Sequence, residues 1–221
     1  MTDASEIKKV CFVVMGFGIK TDFATGRKLN LDYSYQALIK PVIEAKGLTC
    51  IRADEIKHAG YIDVPMYQQL LTADVVVADI STANPNALYE LGIRHAMRPR
   101  TTIVISEKQL AYPFDLNHIL ITKYDHRGDS IDYYEVINFQ KTLGDLLDSV
   151  INTTEADSPV YTFLSDLIPP SLQKKAEDVA KKVGDALKAE SNKQALPVED
   201  NQTLSLLVKQ AEDALKGRNF E

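Results

Sequence analysis

The chain has 221 residues, 45% hydrophobic and 25% charged, which is globular composition and enough length for one or two domains. Its 25 basic and 31 acidic residues leave a formal net charge of -6, so non-specific nucleic-acid binding, which needs a basic surface, is disfavoured as the main activity. No apolar run approaches the ~20 residues that span a bilayer. Met1 to Glu6 lacks the basic start and apolar core of a secretory signal, and Cys11 and Cys50 read as buried small hydrophobes, so the expected location is the reducing cytoplasm.

In chain order, Val10 to Met15 is a β-rich apolar run ended by Gly16-Phe17-Gly18. Runs of this kind are buried on both faces and mark the inner strands of a parallel sheet. A long loop, Gly16 to about Asn30, precedes a helix expected from Leu31 to Lys46, where Tyr35, Leu38, Ile39, Val42 and Ile43 fall at helical spacing and Gly47 is the stop. Leu48 to Ile51 reads as a strand, Val64 to Leu71 as a helix, Asp74 to Ile80 as a strand, and Pro85 to Met97 as a helix. Thr102 to Ile105 and Ile119 to Ile121 complete five strands. Strands separated by helices imply right-handed crossovers. The expected fold is α/β: a flavodoxin-like, doubly wound, mainly parallel five-stranded sheet over 1–152, with a helical extension over 153–221. In that extension Leu172, Ala176, Val179, Val183 and Leu187 trace one apolar face, and Leu204, Leu207, Ala211 and Leu215 another. Ser171 to Glu221 carries 9 basic and 9 acidic residues, so a membrane-surface role is not expected and a homodimer through these faces is.

Ligands of open α/β sheets bind beyond the carboxyl ends of the strands. Gly16 and Gly18 permit close backbone approach, and Tyr33, at the start of the next helix, can stack on a base or bond a ribose. Asp54, beside Arg52, is either an ion pair or a carboxylate for sugar hydroxyls. After Asp79 comes Asn84-Pro85-Asn86, an N-cap and first-turn signal that starts a helix, with Glu90 one and a half turns in. Leu88, Leu91 and Ile93 make that helix largely buried, and Gly92 reads as a close-packing position. A carboxylate in such a stretch is costly unless it lines a cavity, which raises its pKa and marks an active site. Asp54, Asp79 and Glu90 are expected to converge on one pocket with Gly16 and Gly18 at its rim. No Cys/His cluster has metal-ligand spacing, and no metal or cofactor is expected.

The run Ala73-Asp74-Val75-Val76-Val77-Ala78-Asp79-Ile80, then Asn84-Pro85-Asn86-Ala87-Leu88-Tyr89-Glu90-Leu91-Gly92-Ile93-Arg94-His95-Ala96, resembles the nucleoside 2-deoxyribosyltransferase-like superfamily, and within it a TIR-like nucleotide-binding branch. Arg52 to Ile56 fits the same branch, and the likeness covers about residues 8–125. It implies an N-glycosidase or glycosyltransferase that attacks the sugar C1′ with Glu90, with Asp79 near the base or sugar and Asn84 and Asn86 standing where the transferases carry an aspartate. TIR-like relatives that cleave NAD, often as effectors of bacterial defence, add NAD to nucleosides and nucleotides as possible substrates. The alternative is a nucleotide-sensing or interaction module of the same fold that binds without turnover. An oxocarbenium-like centre captured by a carboxylate needs no metal, and the departing base needs a proton, which Asp79 or Asp54 would supply.

Overall fold

The computed structural model describes residues 8–56, 63–111, 116 and 118–171, and the apolar faces assigned to the 172–221 region, with the dimer they imply, lie outside them. Five parallel strands form one sheet: β1 (Val10–Met15), β4 (Thr49–Arg52), β5 (Val75–Asp79), β6 (Thr102–Glu107) and β7 (Ile121–Tyr124), in the order β4-β1-β5-β6-β7. Cys11 pairs with Cys50 and Val75, and Met15 with Asp79. Val104 pairs with Ile121 at the far edge. This is the flavodoxin-like architecture expected from the alternation of strand and helix signals. Among the described residues no helix is long and apolar enough to cross a membrane.

The strand period of two divides the core. Cys11, Val13, Val75, Val77, Ile103 and Ile105 face one side, and Phe12, Val14, Val76, Ala78 and Val104 the other. The first side is covered by the helical stretch after residue 31 and by α5 (Tyr133–Asn152), through Leu38, Ile39, Phe139, Leu143 and Leu147. The second is covered by α3 (Asp63–Thr72) and α4 (Pro85–Met97), through Leu70, Ala87 and Leu91. The central strands β1, β5 and β6 are thus buried on both faces, which is why their sequences are continuous apolar runs.

Four local features depart from the expected elements. The stretch Gly16 to Asn30 is not all loop: β2 (Ile19–Thr21) and β3 (Lys28–Asn30) form an antiparallel hairpin. Asp22 holds its turn by accepting from the Ala24 N–H and the Thr25 hydroxyl. The helix after it is interrupted: α1 (Leu31–Tyr33) passes into a π-helical segment, Ser34–Ile39, and then into α2 (Lys40–Ala45). Pro41 lacks an N–H, which leaves the Ala37 carbonyl without its helical donor. The Gln140 side chain supplies one at 2.7 Å, while the Lys40 N–H reaches back to Tyr35 O.

The last strand begins at Ile121, and Leu120 lies exposed before it. The fourth departure is α5, a twenty-residue helix to which the sequence reading assigns no element; Asp132 caps it by accepting from the Tyr134 N–H.

The compact unit extends through Pro170. Its last helix, α6 (Pro159–Phe163), is fastened to the end of α4, because the Ser158 and Tyr161 hydroxyls donate to the His95 and Ala96 carbonyls. Arg94, wholly buried, is the anchor beneath them. Its guanidinium donates to the carbonyls of Leu70, Ala73, Arg100 and Thr101 and to the Thr101 and Thr102 hydroxyls, so one side chain ties the end of α3 to the start of β6.

Candidate functional site

The chain leaves β1 to build β4 on one side, then crosses back to build β5 on the other. The strand order therefore reverses between β1 and β5, and the loops after these two strands flank the crevice where ligands of this topology bind. Gly16, on the first loop, meets Asn84, on the second. A Cβ at Gly16 would lie 3.0 Å from Asn84 Nδ2, 3.0 Å from Leu31 Cδ1 and 3.2 Å from Lys20 Cγ. Only glycine lets the loops close this far without displacement. Gly18 has φ +68 and accepts the Leu31 N–H at its carbonyl, while its own N–H points to the Asp32 carboxylate.

The loop after β4 is drawn to the same edge by Arg52. Its Nε and Nη2 donate to both oxygens of Asp54, at 2.6 and 2.7 Å, and its Nη1 donates to Asp32 at 2.7 Å. The guanidinium carbon lies 4.3 Å from the Tyr35 ring centre, a cation–π contact that fixes the fork. Burial opposes the charge on Asp32, but its bonds to Arg52 and to the Gly18 N–H outweigh this and hold its carboxyl below the ordinary range. Asp54 is therefore an ion-pair partner with both oxygens engaged by Arg52. Glu55 beside it accepts from the Tyr35 hydroxyl at 2.7 Å and pairs with Lys40.

Asp79 ends β5 and is 0% exposed. One of its oxygens accepts from the Ser81 N–H and hydroxyl, the other from the Tyr124 hydroxyl at 2.7 Å. Burial pushes its carboxyl up, opposed by those donors. Ser81 Oγ also accepts the Glu107 N–H, and the Tyr124 hydroxyl lies 3.0 Å from Ser34 Oγ, so this network joins β5, β6, β7 and the π-helical segment. Asp79 holds the loop from within and presents no oxygen to a ligand in this structure. The loop it holds is strained: Thr82 and Ala83 have φ of 62 and 48. A β-branched residue in the left-handed region costs roughly 1–3 kcal/mol and persists where surrounding structure dictates it, often at functional sites.

From that loop α4 starts at Pro85. Asn84 Oδ1 accepts the N–H groups of Asn86 and Ala87, which makes Asn84 the helix cap and leaves Asn86 exposed. Glu90 is half-buried on α4 and makes no hydrogen bond or ion pair among the described residues. Burial alone pushes its carboxyl up from the ordinary 4.5 to about 7. Tyr89, on the outer flank, lies with its hydroxyl 3.2 Å from that of Tyr67. A Cβ at Gly92 would meet nothing within 4 Å, so that glycine is no close-packing position. Tyr33, the last residue of α1, is 43% exposed and open to a ligand.

The structure thus gathers Gly16, Gly18, Asp32, Arg52, Asp54 and Asn84 into one connected edge. It locks Asp54 and Asp79 into internal bonds, and shows no bond between Glu90 and either. Several positions that build this edge carry no sequence signal of their own. Ser34, Ser81 and Tyr124 are common residue types at unremarkable spacing, and only their meeting at Asp79 distinguishes them. The buried Glu107, paired with Arg27 of the hairpin at 2.9 Å, is another contact that only tertiary structure creates. Among the described residues no group of three or more His, Cys, Asp or Glu is placed to hold a metal ion. No protein-family model matches the chain, and no curated protein matches it.

Proposed function

We propose that this protein is an N-glycosidase or glycosyltransferase that cleaves the N-glycosidic bond of a nucleoside, nucleotide or NAD, with Glu90 as the group that meets the sugar C1′. The observation that carries the reading is Glu90 itself: a half-buried carboxyl with no partner among the described residues, raised to about 7, on the helix that leaves a strained loop at the switch point. Desolvation without a compensating bond costs free energy, and active sites are where such groups collect. The resemblance of the segment from Ala73 to Ala96 to the nucleoside 2-deoxyribosyltransferase-like superfamily supports the same role.

In the proposed reaction the ionised Glu90 oxygen forms a bond to C1′ as the C1′–N bond breaks, and the bonding pair leaves with the base. Water then attacks C1′, frees Glu90 and gives its proton to solvent; a second base in place of water makes the reaction a transfer. Each described carboxylate in the loops after β1, β4, β5 and β6 is already bonded, as with Asp32 and Asp54 to Arg52, Glu55 to Tyr35, Asp79 to Tyr124 and Glu107 to Arg27. Asp79 and Asp54 are accordingly withdrawn as proton donors to the base. A pyridinium base leaves as a neutral molecule and needs no proton, so NAD is the substrate in this set that asks least of the site. The same shortage of a free acid favours the second reading, a nucleotide-sensing module that binds without turnover.

The test is mass spectrometry of nucleosides, nucleotides and NAD incubated with the purified protein. The expected result is release of free base, lost in Glu90→Gln. Silence across the panel, with binding retained, would leave the sensing module in its place.

A further inference from the structure

The end of the sheet opposite the crevice holds a cavity that bond cleavage does not use. β6 begins at Thr102, but its pairing with β7 begins at Val104 and Ile121, so the first two residues of β6 have no strand beside them on that side. Asp157 takes the Thr102 N–H instead, at 2.9 Å, and Leu120 borders the gap with its side chain largely in solvent. There lies a cavity of about 100 Å³ with a mostly apolar wall, drawn from Ile103, Val104, Ile119, Leu146 and Val150. An outer hollow of about 370 Å³, lined in part by Phe163, shares Ile119, Leu120 and Asp157 with it.

His95, on the last turn of α4, lines the same cavity. It is 5% exposed, its ring makes no hydrogen bond among the described residues, and neither ring nitrogen is sealed off. Burial, Arg94 and His118 press its pKa down to about 4, so at neutral pH the ring is uncharged and offers one donor and one acceptor. A buried polar group without a partner costs free energy that an apolar side chain in the same place would not. The surroundings also select the charge of a guest. Asp157 has one oxygen bonded to Thr102 and the other buried and unbonded, which disfavours an anion. Arg94, wholly buried and next to His95 in the chain, disfavours a cation.

We infer that this cavity is a second ligand site, apart from the crevice, for a small uncharged molecule of one ring that carries a hydroxyl or N–H group, with His95 as its polar anchor. An engineered apolar cavity of roughly 150 Å³ takes up benzene. This one is smaller but continues into the outer hollow, so a single ring fits with its edge toward the mouth. Ligand sites of this kind are apolar hollows with few polar groups, and those few fix the orientation of the guest. The assignment does not rest on the glycosidase reading, because the cavity lies at the amino end of β6 and the crevice at the carboxyl ends of the strands.

The test is NMR titration of the full chain with phenol, toluene and benzoate as separate probes, read at the methyl groups of Ile119, Leu146 and Val150 and at the His95 ring nitrogens. Phenol is expected to shift all of these saturably, and benzoate none. His95→Phe keeps an aromatic ring and removes both nitrogens; it should weaken phenol about fivefold or more, the worth of one net hydrogen bond, and leave toluene no weaker. Val150→Phe fills the cavity from α5 and should abolish the shifts with phenol and toluene alike. Absence of saturable phenol shifts, benzoate binding as tight as phenol, unchanged phenol affinity in His95→Phe, or binding retained in Val150→Phe would each overturn the site. Where His95→Phe does not fold, the unsubstituted protein decides: His95 ring resonances that move with phenol uphold the anchor, and resonances that stay fixed while the methyl groups move refute it.

Discussion

Replacing Glu90 by glutamine keeps the shape of the side chain and removes its charge, and the structure sets both the size and the pH dependence of the effect. The carboxyl moves from the ordinary 4.5 to about 7 because burial disfavours the charged form and no described residue bonds it. A folded-state pKa above the unfolded one means that the folded protein holds the proton more tightly. The associated stability is therefore complete below about 4.5 and is lost as pH rises through about 7. For a group sealed from water this displacement corresponds to about 3 kcal/mol. Glu90 is open to solvent on one side, so screening reduces the expected figure to about 1–2 kcal/mol. Glu90→Gln escapes the penalty and should raise the melting temperature by roughly 3–6 °C at pH 8, with no difference near pH 4. Thermal denaturation of both proteins from pH 4 to 8.5, followed by circular dichroism, measures it. Parallel curves over that whole range would show that Glu90 titrates like a surface residue. They would remove the physical basis of its catalytic assignment, whatever the activity data. In the base-release assay the same variant should lose several powers of ten in rate, each factor of ten being about 1.4 kcal/mol of barrier.

Further outcomes follow from the packing. Gly16→Ala should cost about 1–2 kcal/mol in urea unfolding, because its Cβ must displace Asn84, Leu31 or Lys20. Gly92→Ala, on an exposed helix position with open space, should instead stabilise by about 0.5–1 kcal/mol in the same assay. Arg94→Met should destabilise by about 3–5 kcal/mol, since it leaves the carbonyls at the end of α3 and the start of β6 buried without donors; Arg94→Lys, with one point of contact, should rescue little of this. Tyr124→Phe should cost about 1–3 kcal/mol by stripping a donor from the buried Asp79, and a measured change below about 0.5 kcal/mol would show that the network does not hold the loop.

The sequence by itself determined the sheet. Strands buried on both faces must be apolar throughout, so Val10 to Met15, Val75 to Ile80 and Thr102 to Ile105 announce themselves locally, and helical spacing between them implies parallel crossovers. It also marked Asn84 as a cap and Glu90 as a carboxylate in an apolar stretch, because both signals lie within a few neighbouring residues. The tertiary structure decided what each polar group is free to do. Asp54 and Asp79 read as ligand groups in the sequence and are bonded partners in the fold, because Arg52 and Tyr124 come to them from other elements. The Ala37 carbonyl that Pro41 leaves without a helical donor is satisfied by Gln140, 103 positions later in the chain. The availability of a carboxylate is a property of what packs around it, and those neighbours are brought together by long-range strand order, which no local pattern encodes.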